Sequence, residues 1–406
     1  MLEYLVNMYV AEYHPRHVEF SSGEGCFLFD KKGKKYIDFL AGWCVGNAGW
    51  GRREIIAALD RAAKRGIYVP PLFKMEEWEI FARKLVSVAP NKKLKKVFRC
   101  TSGSEAVEFA IKCARAATGK PYLVTIDGVY HGHTYGAASA GNACSSDMAP
   151  CAPAFLKIAM PNAYREISGE DVIREFERLV GGRNDIAAFM SEPVWTNAGA
   201  IIPPKDFYPA IEKICRKKGI LFIMDEVATG FGRCGKIFAS DLWGLKPDIM
   251  CLGKGLTSGY STLGATLVTE EIFERSSGVP HYSTFGWNLL DLAAADANLD
   301  VIVRDGLADN ARRLHEYFLE ALKPFFELSF VGEVRGIGML FGIEIVKDKK
   351  TKRPDFARAQ IIQDACEKKG LLIETAHHNL FLTPPLVITK EVIDAGVRIL
   401  KSVLIS

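Results

Sequence analysis

No apolar run in this chain approaches the ~20 residues needed to cross a bilayer, so no membrane-spanning role is expected. The ten cysteines include no Cys-x-x-Cys pair, and no Cys/His cluster has zinc-ligand spacing. Several of them lie in apolar stretches, where a thiol packs as a small hydrophobe. Together these features point to a reducing compartment rather than a disulfide framework. Met1-Leu2-Glu3-Tyr4-Leu5-Val6 lacks the basic start and cleavage site of a signal peptide, so a cytoplasmic location is expected. There are no internal repeats and no low-complexity linker. A net charge of +4 spread over 406 residues gives no reason to expect nucleic acid as a partner. The basic run Lys347 to Arg353 is short and reads as a solvated loop.

What remains is an ordinary globular composition, 49% hydrophobic and 25% charged, long enough for one large domain and a smaller one. Residues 20–40 alternate apolar and polar around Asp30 and Gly33, as a hairpin does. From about residue 76, short apolar runs alternate with amphipathic stretches. Helices are predicted at 54–65, 76–88, 104–117, 171–180, 206–218 and 289–304. Strands are predicted at 95–100, 121–126, 186–191, 220–225, 247–252 and 263–268. That alternation predicts an α/β fold, a mostly parallel sheet covered by helices, with ligands bound at the carboxyl ends of the strands. Beyond residue 305 the order changes to that of a smaller α+β domain, completed by the N-terminal hairpin. The expected division is 1–50 joining the small domain, 51–304 as the large domain, and 305–406 as the small one.

The chemistry collects at the predicted strand ends. Ile249-Met250-Cys251-Leu252 ends in Gly253-Lys254-Gly255, and Ile220 to Met224 ends in Asp225-Glu226-Val227. A lysine after a strand is by default a solvated surface residue, and an aspartate there is by default a cap. Delivered together to one sheet edge, they suit pyridoxal phosphate. That cofactor needs a lysine amine for its covalent link and a carboxylate to keep its pyridine nitrogen protonated. Cys100-Thr101-Ser102-Gly103-Ser104 joins a strand to a helix and can cradle a phosphate, or Ser102 and Ser104 merely cap the helix. Tyr130, flanked by Gly128 and Gly132, offers a ring to lie on a planar cofactor. His131 and His133 lack a third metal ligand nearby, so no metal is expected. Glu192 ends another strand and either satisfies backbone donors or faces the cofactor.

These pieces resemble the class III, ω-type aminotransferases of pyridoxal-phosphate fold type I. The resemblance runs from about Gly25 to the C-terminus. Its most specific parts are Asp225-Glu226-Val227-Ala228-Thr229-Gly230-Phe231-Gly232-Arg233, Pro247-Asp248-Ile249 and Gly253-Lys254-Gly255-Leu256. It implies that Lys254 carries the cofactor, Asp225 pairs with its pyridinium, and Val227 packs on the ring face opposite Tyr130. Ser102, Gly103 and Ser104 would hold the phosphate, with His131 and Glu192 close to the cofactor. Ser283-Thr284-Phe285-Gly286 resembles the segment through which a neighbouring subunit's threonine reaches that phosphate, which implies a homodimer with shared sites. Ala41-Gly42-Trp43-Cys44-Val45 and Gly49-Trp50-Gly51-Arg52 resemble the pyruvate-dependent ω-amino acid and amine aminotransferases, with Trp43 walling the substrate pocket.

Two positions depart from the family pattern. Glu374 stands where many ω-enzymes carry a mobile arginine, and Phe381 where ornithine-type enzymes carry another. Glu374, with Trp43 and Tyr130, is assigned to the substrate side; either His377 or His378 substitutes for the missing arginine, or Glu374 favours an amine-bearing substrate. The expected reaction moves an amino group from an ω-amino acid or amine to a keto acid such as pyruvate. A racemase or aminomutase on the same scaffold uses the same lysine and aspartate and stays open. A binding protein that lost the chemistry is disfavoured by the intact Lys254 and Asp225.

Overall fold

The computed structural model describes residue 16 and residues 18–405; the Met1 to Val6 stretch lies outside the described residues. An N-terminal meander is formed by β1 (Phe20–Glu24), β2 (Phe27–Asp30) and β3 (Lys35–Asp38). Asp30 builds its turn, since Oδ1 accepts from the amides of Lys32 and Lys34, both at 2.9 Å.

The central sheet has seven strands: β4 (Leu94–Cys100), β5 (Tyr122–Ile126), β6 (Phe155–Ile158), β7 (Ile186–Ser191), β8 (Leu221–Asp225), β9 (Ile249–Leu252) and β10 (Gly264–Thr269). Their order across the sheet is β4-β10-β9-β8-β7-β5-β6. All pairings from β9 to β6 are parallel, and β10 alone runs antiparallel to both its neighbours. The strands are apolar throughout because both faces are covered. Along β8, Ile223 packs with the helix Gly103–Thr118 on one face, while Phe222 and Met224 pack on the other with Phe176 and Tyr208.

The C-terminal part adds β11 (Val331–Ile337), β12 (Leu340–Ile345), β13 (Leu371–Leu372), β14 (Glu374–Ala376) and β15 (Asn379–Leu382). Strands β11, β12, β15 and β14 form an antiparallel sheet, and β13 leaves it to pair in parallel with β3 of the N-terminal meander. The helices Phe356–Lys368 and Lys390–Leu404 pack together beside these strands.

Several elements were not expected from the sequence. The strand β6 and the short helices Tyr135–Ala140 and Glu270–Arg275 are too short, or too uniformly small, to show a period. The cysteine reading also needs correction. Cys144 and Cys151 form a disulfide, whereas the other eight cysteines are free and buried.

The two sheets meet at a buried carboxylate. Glu344 on β12 accepts from Arg335 Nη1 at 2.9 Å, from His378 Nε2 at 3.1 Å and from Arg165, which follows β6. Arg335 Nε also donates to the carbonyl of Gly199 at 3.0 Å. Burial alone would raise the Glu344 pKa, but His378, Arg335 and Arg165 outweigh it and bring the value to about 2. A carboxyl depressed below its ordinary 4.5 contributes stability that is complete above that pH and lost as pH falls towards 2. At ~1.4 kcal/mol per unit, the contribution is roughly 3 kcal/mol. Glu344→Gln should therefore lower the unfolding midpoint at pH 7 and flatten its decline on acidification. A thermal melt series that leaves the acid limb unchanged would contradict this.

Candidate active site

Five strand ends converge on one cavity of about 130 Å³ at the carboxyl edge of the parallel sheet. Asp225 closes β8, Lys254 follows β9, and Glu192 follows β7. Tyr130 and His131 follow β5, and Ser102 to Ser104 follow β4. Lys254 holds a left-handed backbone, φ +43°, a costly conformation for a residue with a side chain.

Asp225 is buried and doubly engaged. Oδ2 lies 2.7 Å from His131 Nδ1, and Oδ1 accepts from the amide of Val227 at 3.0 Å. His131 Nε2 is buried with no hydrogen-bond partner. Glu192 accepts from Thr196 through Oε2, while its Oε1 is buried and unpartnered. Burial is the main cause that pushes the Glu192 carboxyl up to about 7, reinforced by the charge of Asp225 and opposed by His131, Thr196 and Lys254. Burial, with Asp225 and Glu192, likewise raises the phenol of Tyr130. Its neighbour Glu226 faces away from this cavity. It is buried under donors from Thr229, Ala239 and Ser240 at 2.6 to 3.0 Å, a structural anchor.

The Ser102–Ser104 end of the cavity is shaped by close approach. Ser102 caps the helix Gly103–Thr118, its Oγ accepting from Glu105 N at 3.2 Å. A Cβ on Gly103 would lie 2.7 Å from Val227 Cγ1. Gly132, at φ +128°, passes so close to Ser104 that a Cβ would lie 2.4 Å from its Oγ. Ser104 Oγ already accepts from His133 N at 3.2 Å. Ser102 therefore caps the helix, and Ser102, Gly103 and Ser104 also line the cavity.

The structure thus gathers Ser102, Gly103, Ser104, Tyr130, His131, Glu192, Asp225, Val227 and Lys254. It leaves three assigned residues outside the cavity lining. Thr284 is exposed, its carbonyl accepting from Tyr68 Oη at 2.7 Å. Trp43 sits in a left-handed turn, φ +63°, and packs on Phe381 with ring centres 5.4 Å apart. Glu374 is buried on β14 and ion-paired with Arg16 at 3.3 Å, so its charge is already matched. Burial pushes its carboxyl up, and Arg16 opposes that rise.

Ala228 lines the cavity but was not singled out in the sequence, although it lies inside the motif that begins at Asp225. Asn47 was missed as a structural link. Its Oδ1 accepts from Arg233 Nη2 at 2.6 Å, and its Nδ2 donates to the carbonyl of Phe231 at 3.0 Å. Among the described residues no group of three His, Cys, Asp or Glu could hold a metal ion.

The donor set fits pyridoxal phosphate. A lysine, a buried carboxylate with an orienting imidazole, a helix N-terminus and two unpartnered buried polar atoms open on one cavity. Gly132→Ala should weaken cofactor retention, because Ser104 must move to admit the methyl group. Equilibrium dialysis of the loaded protein checks this, and retention equal to wild type would contradict it.

The class-III aminotransferase family profile matches residues 8–404. An acetylornithine aminotransferase of Archaeoglobus fulgidus is 33% identical, with 96% of each chain covered. An alanine/serine racemase of Pyrococcus horikoshii is also 33% identical, over 93% of this chain and 84% of its own. The PLP-bound structure of an amine transaminase from an uncultivated Pseudomonas species superposes with a TM-score of 0.94. It is 29% identical and covers 99% of this chain and 98% of its own. From the profile, these relatives and the site geometry, the chain belongs to the class-III aminotransferases, enzymes of PLP fold type I, and its cofactor is pyridoxal phosphate.

Proposed function

We propose that the enzyme moves an amino group from an ω-amino acid or an apolar amine to a keto acid with a single carboxylate, such as pyruvate. The observation that carries this reading is the cavity's charge. Among the described residues, Lys254 is the only lysine or arginine lining it. Other nearby cations are committed elsewhere. Arg233 is fully buried and donates to the carbonyls of Met339 at 2.9 Å and Pro384 at 2.6 Å. His378 is held by Glu344 and Arg165. Arg16 is held by Glu374 and Glu367.

When bound, pyridoxal phosphate supplies the electron sink for the bond broken at the amino-bearing carbon. In this reading Lys254 Nζ carries the covalent link to the cofactor. Once displaced, its amine would take the proton from the donor carbon and deliver it to the cofactor carbon. The Asp225 carboxylate would hold a proton on the pyridine nitrogen, with His131 Nδ1 fixing the orientation of that carboxylate. Val227 and Tyr130 confine the ring between them. Trp43, on Phe381, and Glu374 on the neighbouring strand belong to the substrate side through the segments they fix. The division into residues 1–50, 51–304 and 305–406 and a cytoplasmic location belong to the same proposal.

The same reading includes a homodimer. Leu72 and Phe73 are 87% and 66% exposed, and Tyr282 and Phe285 are exposed beside Thr284. Tyr68 ties these two segments together through the Thr284 carbonyl. An apolar patch of this kind needs a cover, and a second copy would bring Thr284 to its partner's phosphate.

Lys254→Ala should abolish turnover and the visible cofactor band while the fold persists; near-normal turnover would refute the assignment. For the shared site, a mixed dimer of Lys254→Ala and Thr284→Ala chains is diagnostic. If Thr284 acts across the interface, one site keeps both groups and normal cofactor affinity. Impairment of both sites contradicts that placement.

Burying a second carboxylate without a cationic partner costs several kcal/mol. Initial rates with a common donor should therefore favour pyruvate over 2-oxoglutarate. The reverse preference would overturn the acceptor reading and direct attention to Arg16. The racemase relative supports one alternative. Incubating one enantiomer without keto acid separates the two: a transaminase stops after one turnover per site, and a racemase inverts the substrate.

A further inference from the structure

The distribution of the cysteines is uneven in a way the reaction does not require. Eight are free and buried, most with thiols that burial holds well above their ordinary range. The remaining two, Cys144, half-buried, and Cys151, exposed, are bonded to each other. They close the loop between the helix Tyr135–Ala140 and β6.

That loop supports the segment carrying Tyr130 and His131. Just before Cys144, Asn142 N donates to the carbonyl of Val129 at 2.7 Å. Gly141 packs so tightly there that a Cβ would lie 2.8 Å from that carbonyl and 3.0 Å from His131 N. Just after Cys151, Ala152 N donates to Ser139 Oγ at 2.8 Å, and Tyr135 Oη bonds the carbonyl of Pro150. Both ends of the bridged loop are thus tied to the helix and strand end that hold the cavity wall. His131 in turn holds Asp225.

We propose that Cys144 and Cys151 form a reversible thiol–disulfide site whose closed form stiffens the Tyr130–His131 wall and tightens cofactor retention. The reductant is a dithiol. Its thiolate attacks the exposed Cys151 Sγ and forms a mixed disulfide, and the bond to Cys144 breaks. Cys144 leaves as a thiolate and takes a proton. The second thiol of the reductant then attacks its own bound sulfur, becomes a cyclic disulfide and releases Cys151. Two electrons pass to the protein, and a small-molecule disulfide reverses the exchange.

The test uses the holoenzyme, oxidised with a small-molecule disulfide or reduced with a dithiol, with each reagent removed by gel filtration. Peptide masses report the state of the pair. Pyridoxal phosphate release on dialysis and amide exchange at Asn142 and Ala152 report the wall. Reduction is expected to speed cofactor release several-fold and to raise exchange at both amides. The Cys144→Ser/Cys151→Ser variant should release cofactor like the reduced enzyme and ignore both reagents. Cys151→Ser alone serves if the double variant does not fold. Three results would overturn the proposal: thiols that stay free after oxidation, equal release from both forms, or a serine variant that still responds to the dithiol. None of them bears on Lys254, whose own substitution tests the aminotransferase reading separately.

Discussion

A carboxylate buried at the end of a central strand must have partners, and here that requirement organises the site. Asp225 lies in the middle of the sheet, where water cannot solvate it. Its two oxygens are satisfied instead by the His131 imidazole and the Val227 amide. Both partners come from loops that follow strands, β5 and β8. Satisfying Asp225 therefore also fixes the loop that carries Tyr130 and the residue that packs over Gly103. Lys254 arrives from the next strand, β9, so the distance between the carboxylate and the amine is set by sheet geometry rather than by a flexible loop.

A second buried charge joins the segments around this edge. The Arg233 guanidinium reaches Asn47 from the N-terminal part, Met339 from the β11–β12 turn and Pro384 from the chain after β15. Arginine suits this position because it stays charged and spreads its donors in a plane. Removing it would strand three acceptors at once. This explains why the motif beginning at Asp225 extends to Arg233. Its first residue faces the cavity, Glu226 pins the following turn, and its last residue locks the small sheet over it. Asp248 has a similar supporting role, bound by Arg216 and by Phe222 N at 2.8 Å.

Much of the fold was legible because its strands are continuous apolar runs between strongly amphipathic helices. The ends of β7, β8 and β9 could be placed to within about two residues, and with them Glu192, Asp225 and Lys254. The sequence did not show β6, whose four residues carry no pattern, or the helix at Tyr135, whose small residues have no polar face. The left-handed turn at Ala41 to Cys44 was equally hidden, since only Gly42 there is a residue that favours positive φ. Thus Trp43 was assigned by resemblance alone, and its stacking on Phe381 emerged only with the backbone. Pairings between distant residues were also illegible. Arg165 with Glu344, Arg16 with Glu374 and Cys144 with Cys151 depend on how separate segments are brought together.

The Arg16 pair changes what Glu374 means. Read from the sequence, a glutamate in place of a mobile arginine suggests a negative pocket that attracts amines. In the fold, the same carboxylate is buried, raised in pKa and matched by a guanidinium from the N-terminal segment. A matched pair projects little charge into a neighbouring cavity. The polar character of the cavity therefore rests on Glu192, whose free oxygen is buried beside Asp225 and Lys254. With a pKa of about 7 it exchanges its proton near neutrality, so it can face either a cationic or a neutral amine. Under the proposed function, discrimination among donors would then depend on shape, from Tyr130 and from the Trp43–Phe381 pair, more than on a fixed charge.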